Sequence, residues 1–268
     1  MEFKEIEKKY WDSFYQKSKT DYKVDRDLPF HDDFKNPIKR LPKGSKILEL
    51  ACGLRCEGIE FARNQMIVYE TDISEEAVNK AKNTYRNLNI SEFGKFLTCD
   101  AENLPFEDNF FDAVLIAASF HHLPNPEKAM AEMKRVAKSG GYVILGLEPN
   151  AWPYYTIFKI LLPIKKFIRR RDQKILNSIA DDETFGFNKN SFKKLCKQAD
   201  LKIINIKRAK YLSEIYDSWL RLYSKLTKTN QEPNRKTQLM LCRIDTLISK
   251  IPILDLLNWH WSVISQKK

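Results

Sequence analysis

The 268-residue chain lacks any Cys-x-x-Cys pair. Its five cysteines, Cys52, Cys56, Cys99, Cys196 and Cys242, are odd in number and scattered. That argues against a disulfide framework and, with no secretory pattern in the Met1-Glu2-Phe3-Lys4 start, predicts a reducing cytoplasm. Cys52 and Cys56 lie four apart, but no third cysteine follows (Ile59 stands three on), so an iron–sulfur cluster is set aside and no metal is expected. No apolar run reaches the roughly 20 residues that cross a bilayer. The nearest, Trp152–Ile164, is short and broken by Lys159. There is no internal repeat, no low-complexity tract and no recognisable RNA- or DNA-binding motif. The remainder is an ordinary globular composition, 43% hydrophobic and 30% charged, long enough for one large α/β domain with an elaboration.

What is present is an alternation of strands and helices. Ile47-Leu48-Glu49-Leu50 reads as a short buried strand ending in the small residues Ala51-Cys52-Gly53, ahead of a helix expected at Glu57–Asn64. Small residues at the carboxyl end of a strand let the backbone approach a nucleotide. Met66–Asp72 is a second apolar run with an acidic end. Asp72 follows Glu49 by 23 positions, close to the roughly 20-residue offset at which an acid meets a ribose hydroxyl in βαβ sites. Ser74-Glu75-Glu76 starts a helix, with a hydroxyl cap and acids in the first turn; Ala77, Val78, Ala81 and Tyr85 form its apolar members. Lys95–Cys99 is a third strand closing on Asp100-Ala101. Phe111–Ala118 is a fourth, ending near Ser119-Phe120-His121-His122. A helix at Pro126–Ala137, the turn Ser139-Gly140-Gly141 and a fifth strand, Tyr142–Leu147, close on Glu148-Pro149-Asn150. This spacing predicts a parallel, doubly wound sheet.

Five of these blocks, in order, resemble the class I S-adenosylmethionine-dependent methyltransferases, in the branch of the ubiquinone and menaquinone biosynthesis enzymes. They are Ile47–Gly53, Val68–Ser74, Cys99–Phe106, Phe110–Leu123 and Ala129–Leu147. The resemblance covers about residues 40–150 and returns weakly at Phe185–Lys207. It implies a mostly parallel seven-stranded Rossmann-like sheet with a helical cap after strand five, and S-adenosyl-L-methionine as cofactor. By resemblance, Glu49 organises the methionine amino end, with the backbone at Ala51 and Gly53 close by. Asp72 accepts from the ribose hydroxyls, Ile73 packs on adenine, and Asp100 with Ala101 receives the adenine amino group; Ala117, closing strand four, completes the set. Carboxylates accept from hydroxyls and amines, so the residue types agree. The pattern departs at Ala51 and Arg55, where the family usually has glycine, and the long cation at Arg55 is open to three readings: turned outward, reaching the cofactor's carboxylate, or blocking it.

The charge is uneven. Residues 151–268 hold 24 Lys and Arg against 10 Asp and Glu, leaving 22 against 25 for residues 1–150. Lys165, Lys166, Arg169, Arg170 and Arg171 form the densest cluster. Solvated lysines on a helical cap, contact with a membrane or lipid substrate, and an anionic substrate are all compatible with it, and nucleic acid is the least supported partner. The chain divides into an N-terminal lid helix and linker (1–40), a cofactor-binding core (41–150), a basic insertion (151–187) and a segment completing the sheet (188–268). In detail, Glu5–Lys17 is an amphipathic segment, either a lid over the cofactor pocket or simply core by its stripe of aromatics, and 21–40 a polar linker. Asn188–Ala199 is a helix, Leu201–Lys207 a strand, 211–227 and 235–249 helices, and Trp259–Ser265 a final strand.

The expected reaction is methyl transfer to a small-molecule acceptor, on oxygen or carbon, of lipid, quinone, sugar or secondary-metabolite type. The methyl group is already activated, so alignment and exclusion of water carry most of the work. His121 and His122 are the candidate bases, or else a pair that shapes the loop or caps the next helix, with Glu148 and Asn150 as secondary contacts to the acceptor. A catalytically silent protein on the same fold and an RNA methyltransferase are the alternatives.

Overall fold

Strand β1 (Lys46–Leu50) lies at the centre of the sheet, and four of its five residues are buried, as an apolar run covered on both faces must be. In the computed structural model, which describes residues 3–18, 28–153, 186–227, 229, 231–251, 254 and 257–268, β1 pairs in parallel with β2 (Ile67–Asp72) and β4 (Phe111–Ala117); Leu48 stands opposite Tyr69 and Val114. β3 (Gly94–Thr98) adds outside β2 and β5 (Ala137–Pro149) outside β4, both in parallel. β7 (His260–Lys267) is antiparallel to β5 and to β6 (Leu201–Ala209). The order β3-β2-β1-β4-β5-β7-β6 makes the sheet mostly parallel and seven-stranded, as expected. It reverses direction between β1 and β4, where α/β sheets open a crevice at the carboxyl ends of their strands.

Alternation along the strands divides the core into two layers. Ile47, Val68, Ala113 and Leu115 face one side, with Ile59, Phe61, Ala81 and Tyr85 from α3 (Ile59–Arg63) and α4 (Glu75–Asn87). Leu48, Leu50, Val114 and Ile116 face the other, with Met130, Met133, Phe192 and Leu195 from α5 (Pro126–Val136) and the later helix Lys189–Gln198. α4 follows its sequence signals closely. The Ser74 hydroxyl accepts from the Ala77 N–H at 3.3 Å, and Ala77, Val78, Ala81 and Tyr85 are buried.

α1 (Phe3–Lys17) is helical as its amphipathic pattern predicts. The stretch 21–40 differs from the expected linker. Residues 29–39 form α2 (Pro29–Lys39), with proline in its first turn, while 19–27 fall outside the described residues. Phe34 and Ile38, four apart, are fully buried, each stabilising by roughly 1.5–3 kcal/mol. Gly146 on β5 makes room for the Phe34 ring, which lies 2.9 Å from where a β-carbon would stand. β5 starts five residues earlier than the sequence suggests. Ala137 pairs with Phe111 before a register shift brings Tyr142 opposite Ala113, so Ser139-Gly140-Gly141 is a bulge inside the strand and not a separate turn.

After β5 the chain leaves at Asn150 and returns beside it at Phe187, with the Ala151 N–H on the Phe187 carbonyl at 3.0 Å. The basic cluster at Lys165–Arg171 and most of the expected cap lie between, outside the described residues. α6 (Lys189–Gln198) is capped by the Asn188 side chain, and α7 (Leu212–Thr227) and α8 (Arg235–Ile248) connect β6 to β7.

Candidate active site

Two alanines turn the chain at the switch point. Ala51 after β1 and Ala118 after β4 have φ of 51° and 52°, a left-handed conformation costing an L-residue about 1–2 kcal/mol. Only a small side chain keeps the space beyond them open. Both line a solvent-connected cavity, the concave kind of site in which small ligands bind.

Of the residues singled out in the sequence, Ala51, Asp72, Ile73, Asp100, Ala101 and His122 line this cavity. Glu49, Gly53, Ala117 and His121 stand behind its wall. The Glu49 carboxylate accepts from the Glu57 N–H at 2.9 Å and the Gly58 N–H at 2.6 Å, and so braces the loop that follows β1. Beneath it, Tyr85 donates to Glu70 at 2.5 Å. Burial raises both carboxyl groups, Glu70 to about 7. Cys52 and Cys56 adjoin Glu70, each offering a sulfur within 4.8 Å of the other and of a Glu70 oxygen. The hydrogen bond with Cys56, and then burial, raises the Cys52 thiol; that same bond lowers the Cys56 thiol, but burial outweighs it, so both stay protonated at neutral pH.

Asp72 closes β2. Its carboxylate accepts from the Gly53 N–H at 3.1 Å and the Ser74 N–H at 2.9 Å, which fixes its orientation. Burial still pushes it up to about 6. Gly53 has a φ of 50° and touches the Tyr15 hydroxyl, 2.9 Å from where a β-carbon would stand, so a side chain there would be strained and obstructed at once. Asp100, past β3, accepts from the Glu102 N–H at 2.9 Å. Arg55 is exposed and does not line the cavity, the first of the three arrangements open in the sequence.

The cavity's outer wall is α1. Lys4, Glu7, Trp11 and Tyr15 line it, at spacings of three, four and four residues that put them on one helical face. Lys4 bonds Asp100 and Glu102, each at 2.6 Å, and Asp12 accepts from the Ser74 hydroxyl at 2.5 Å. The aromatic members of this helix stand out in the sequence. Lys4 and Glu7 do not, because only their position on the aromatic face marks them.

His121 and His122 lie in a short 3-10 turn, Phe120–His122, with rings 4.1 Å apart. Glu148, fully buried, accepts from the backbone N–H groups of Ser119, Phe120 and His121 at 3.0, 2.9 and 3.1 Å. It also meets His121 Nδ1 at 2.9 Å. Glu148 therefore shapes the turn and does not face the cavity. Asn150 is likewise buried, donating to the Asn258 carbonyl at 2.8 Å. His122 faces the cavity beside Trp11, and burial together with His121 lowers it to about 3. It is neutral at physiological pH and a weak base.

Comparison with known proteins places these features. Residues 48–145 match the family described as "Methyltransferase domain". Over 112 residues the chain is 36% identical to the ubiquinone/menaquinone biosynthesis C-methyltransferase of Burkholderia mallei, a match covering 41% of this chain and 45% of that one. The chain thus spans less than half the length of the curated relatives it matches. Among solved structures, phosphoethanolamine N-methyltransferase 2 of Haemonchus contortus, in complex with S-adenosyl-L-methionine, is 14% identical with a TM-score of 0.60, covering 100% of this chain and 60% of that one. The [4+2]-cyclase SpnF is also 14% identical, with a TM-score of 0.59 and coverage of 98% and 95%; at such identity these two share the fold alone. Sheet order, ordered motifs and family match agree: the chain carries a class I S-adenosylmethionine-dependent methyltransferase domain, resembling over that domain the ubiquinone/menaquinone C-methyltransferases.

Proposed function

We propose that this chain transfers a methyl group from S-adenosylmethionine to carbon or oxygen of a small-molecule acceptor of quinone or lipid type. One observation carries the reading: Asp72 and Asp100, at the carboxyl ends of adjacent parallel strands, open into one cavity whose floor is kept clear by Ala51 and Ala118. That donor set fits the cofactor, since two carboxylates suit ribose hydroxyls and an adenine amine. When bound, S-adenosylmethionine supplies a methyl group already activated by its sulfonium.

The chain's own residues then bind, orient and exclude water. Asp72, held by Gly53 and Ser74, accepts from the ribose; Ile73 packs on adenine, and Asp100 with Ala101 reads the adenine edge. Glu49 acts through the loop it braces, fixing the backbone at Ala51. α1 closes the outer wall with Trp11 and Tyr15, keeping solvent from the reacting atoms. His122, uncharged, is a hydrogen-bond partner for the acceptor. His121, held by Glu148, packs against His122 and positions that ring at the cavity. The name of the Burkholderia relative, a C-methyltransferase, supports carbon as the target. The free cysteines support a reducing compartment.

Calorimetry with S-adenosylmethionine and its demethylated product, followed by transfer of a labelled methyl group to quinone, lipid, sugar and polyketide acceptors, tests this. Micromolar binding and label in one acceptor class are expected. Failure to bind either compound overturns the reading. Binding without transfer to any acceptor favours a second reading, a cofactor-holding protein that does not turn over. The observation on its side is Lys4, which already occupies Asp100.

A further inference from the structure

α7 has a buried side and, among the described residues, a separate apolar side that is exposed. Leu220 and Ser213 face the molecule and are buried. The start of the helix is pinned by Asp245 of α8, which accepts from the N–H groups of Tyr211, Leu212 and Ser213 at 3.1, 2.8 and 3.2 Å. On another face stand Leu212, Ile215, Trp219, Leu222, Tyr223 and Leu226. At 100° per residue these six fall within an arc of about 100°. All six are exposed, Ile215 by 54%, Trp219 and Leu222 by 57% and Leu226 by 74%. Large apolar side chains normally reach a monomer's surface singly; a continuous face marks something that docks.

The charges along this helix and its neighbour α8 are predominantly positive, with Glu232 between them an exposed exception. Residues 210–251 contain eight Lys and Arg against four Asp and Glu. Two of those acids are buried: Glu214 pairs with Lys210 at 2.7 Å and Arg221 at 2.6 Å, and Asp245 serves the helix start. Asp217 receives Gln238 at 2.9 Å. Arg235, Lys236, Arg243 and Lys250 are exposed. A helix with Trp, Tyr, Leu and Ile on one side, set among outward cations, has the composition that lies in the headgroup layer of an anionic bilayer. Among the described residues no helix is long and apolar enough to cross a membrane, so the contact is peripheral.

We propose that the exposed face of α7 docks the protein on an anionic lipid surface. The apolar residues enter the headgroup boundary and the surrounding Lys and Arg residues meet lipid phosphates. This is independent of the methyl-transfer reading, because lipid binding requires no cofactor.

The test is flotation of the full chain with vesicles of phosphatidylcholine alone and of equimolar phosphatidylcholine and phosphatidylglycerol. Binding to the anionic vesicles with a blue shift of tryptophan emission is expected, weakening as salt rises. The double variant Trp219→Glu, Leu222→Glu is expected to lose on the order of tenfold or more in partitioning, with an unchanged unfolding midpoint. Four results overturn the proposal. Wild-type protein left in solution by both vesicles is one, and a double variant that binds as well as the wild type is another. A third is light scattering that shows a dimer which the double variant breaks and which ignores vesicles. A lowered unfolding midpoint in the double variant shows the face covered by this chain itself.

Discussion

α4 and α7 carry apolar stripes of similar length and meet opposite fates. Ala77, Val78, Ala81 and Tyr85 on α4 are buried, whereas Ile215, Trp219, Leu222 and Leu226 on α7 are exposed. The difference comes from connection. α4 joins two parallel neighbours, β2 and β3, and a crossover between parallel strands lays its helix on the sheet. α7 and α8 join β6 to β7, which are antiparallel neighbours, and such a connection need not cross the sheet at all. Periodicity reveals which side of a helix is apolar; topology decides what covers it.

Substitutions on the two helices should therefore differ in kind. Tyr85 is fully buried and bonded to Glu70, so Tyr85→Ala is expected to destabilise by about 3–5 kcal/mol in urea unfolding. Tyr85→Phe, which leaves Glu70 without its donor, should cost about 1–3 kcal/mol. A loss under 1 kcal/mol for the alanine variant would place α4 outside the core.

At the amino end of α4, Asp72→Ala should weaken S-adenosylmethionine binding by about 1.5–3 kcal/mol in calorimetry. Asp72 also gives the binding a pH dependence. Because burial lifts it to about 6, its acceptor capacity, and with it affinity, falls as pH drops through that value. The stability contribution of the same group has the opposite sign. The folded state holds this proton more tightly than the unfolded chain, whose aspartates titrate near 3.9, so stability from this group rises as pH falls from about 6 towards 4. An affinity flat from pH 8 to pH 5 removes Asp72 from the site.

Ser74→Ala deletes the cap of α4 and should cost about 1 kcal/mol, read as a lowered midpoint in thermal unfolding. Smallest of all, Trp219→Ser on the exposed face of α7 should change stability by no more than about 0.5 kcal/mol. A larger loss would mean that the two helices are less different than their exposures indicate.

The parts of the fold legible in the sequence are those where a single period runs between clear end signals. β1, β2, β4 and α4 have such ends in Ala51-Cys52-Gly53, Asp72 with Ser74, and Ser119. α2 was illegible because, among its described side chains, the buried set is Phe34 and Ile38 with a charged member, Lys35. That lysine is buried by ion pairs to Glu57 at 3.2 Å and Glu60 at 2.8 Å, partners more than twenty positions away. The acids of the cavity could be read because a strand's end fixes where its next residue points. Lys4 could not, since its contact with Asp100 spans 96 positions. The same limit applies to His121 and His122. Sequence marks the pair, but which ring faces the cavity is set by Glu148, 27 positions beyond His121.

β7 lies between β5 and β6 although it follows both in the chain. The order of synthesis therefore differs from the order of pairing. Every described residue lining the cavity, from Phe3 to Pro124, is made before β6 begins. β6 then emerges before its own partner, since the strand it bonds to starts only at His260. At about 5–20 residues per second, roughly three to ten seconds separate the end of β6 from the start of β7. Throughout that interval β5 presents an unpaired edge of N–H and C=O groups to any other extended chain nearby, and β7 both closes that edge and brings β6 into the sheet.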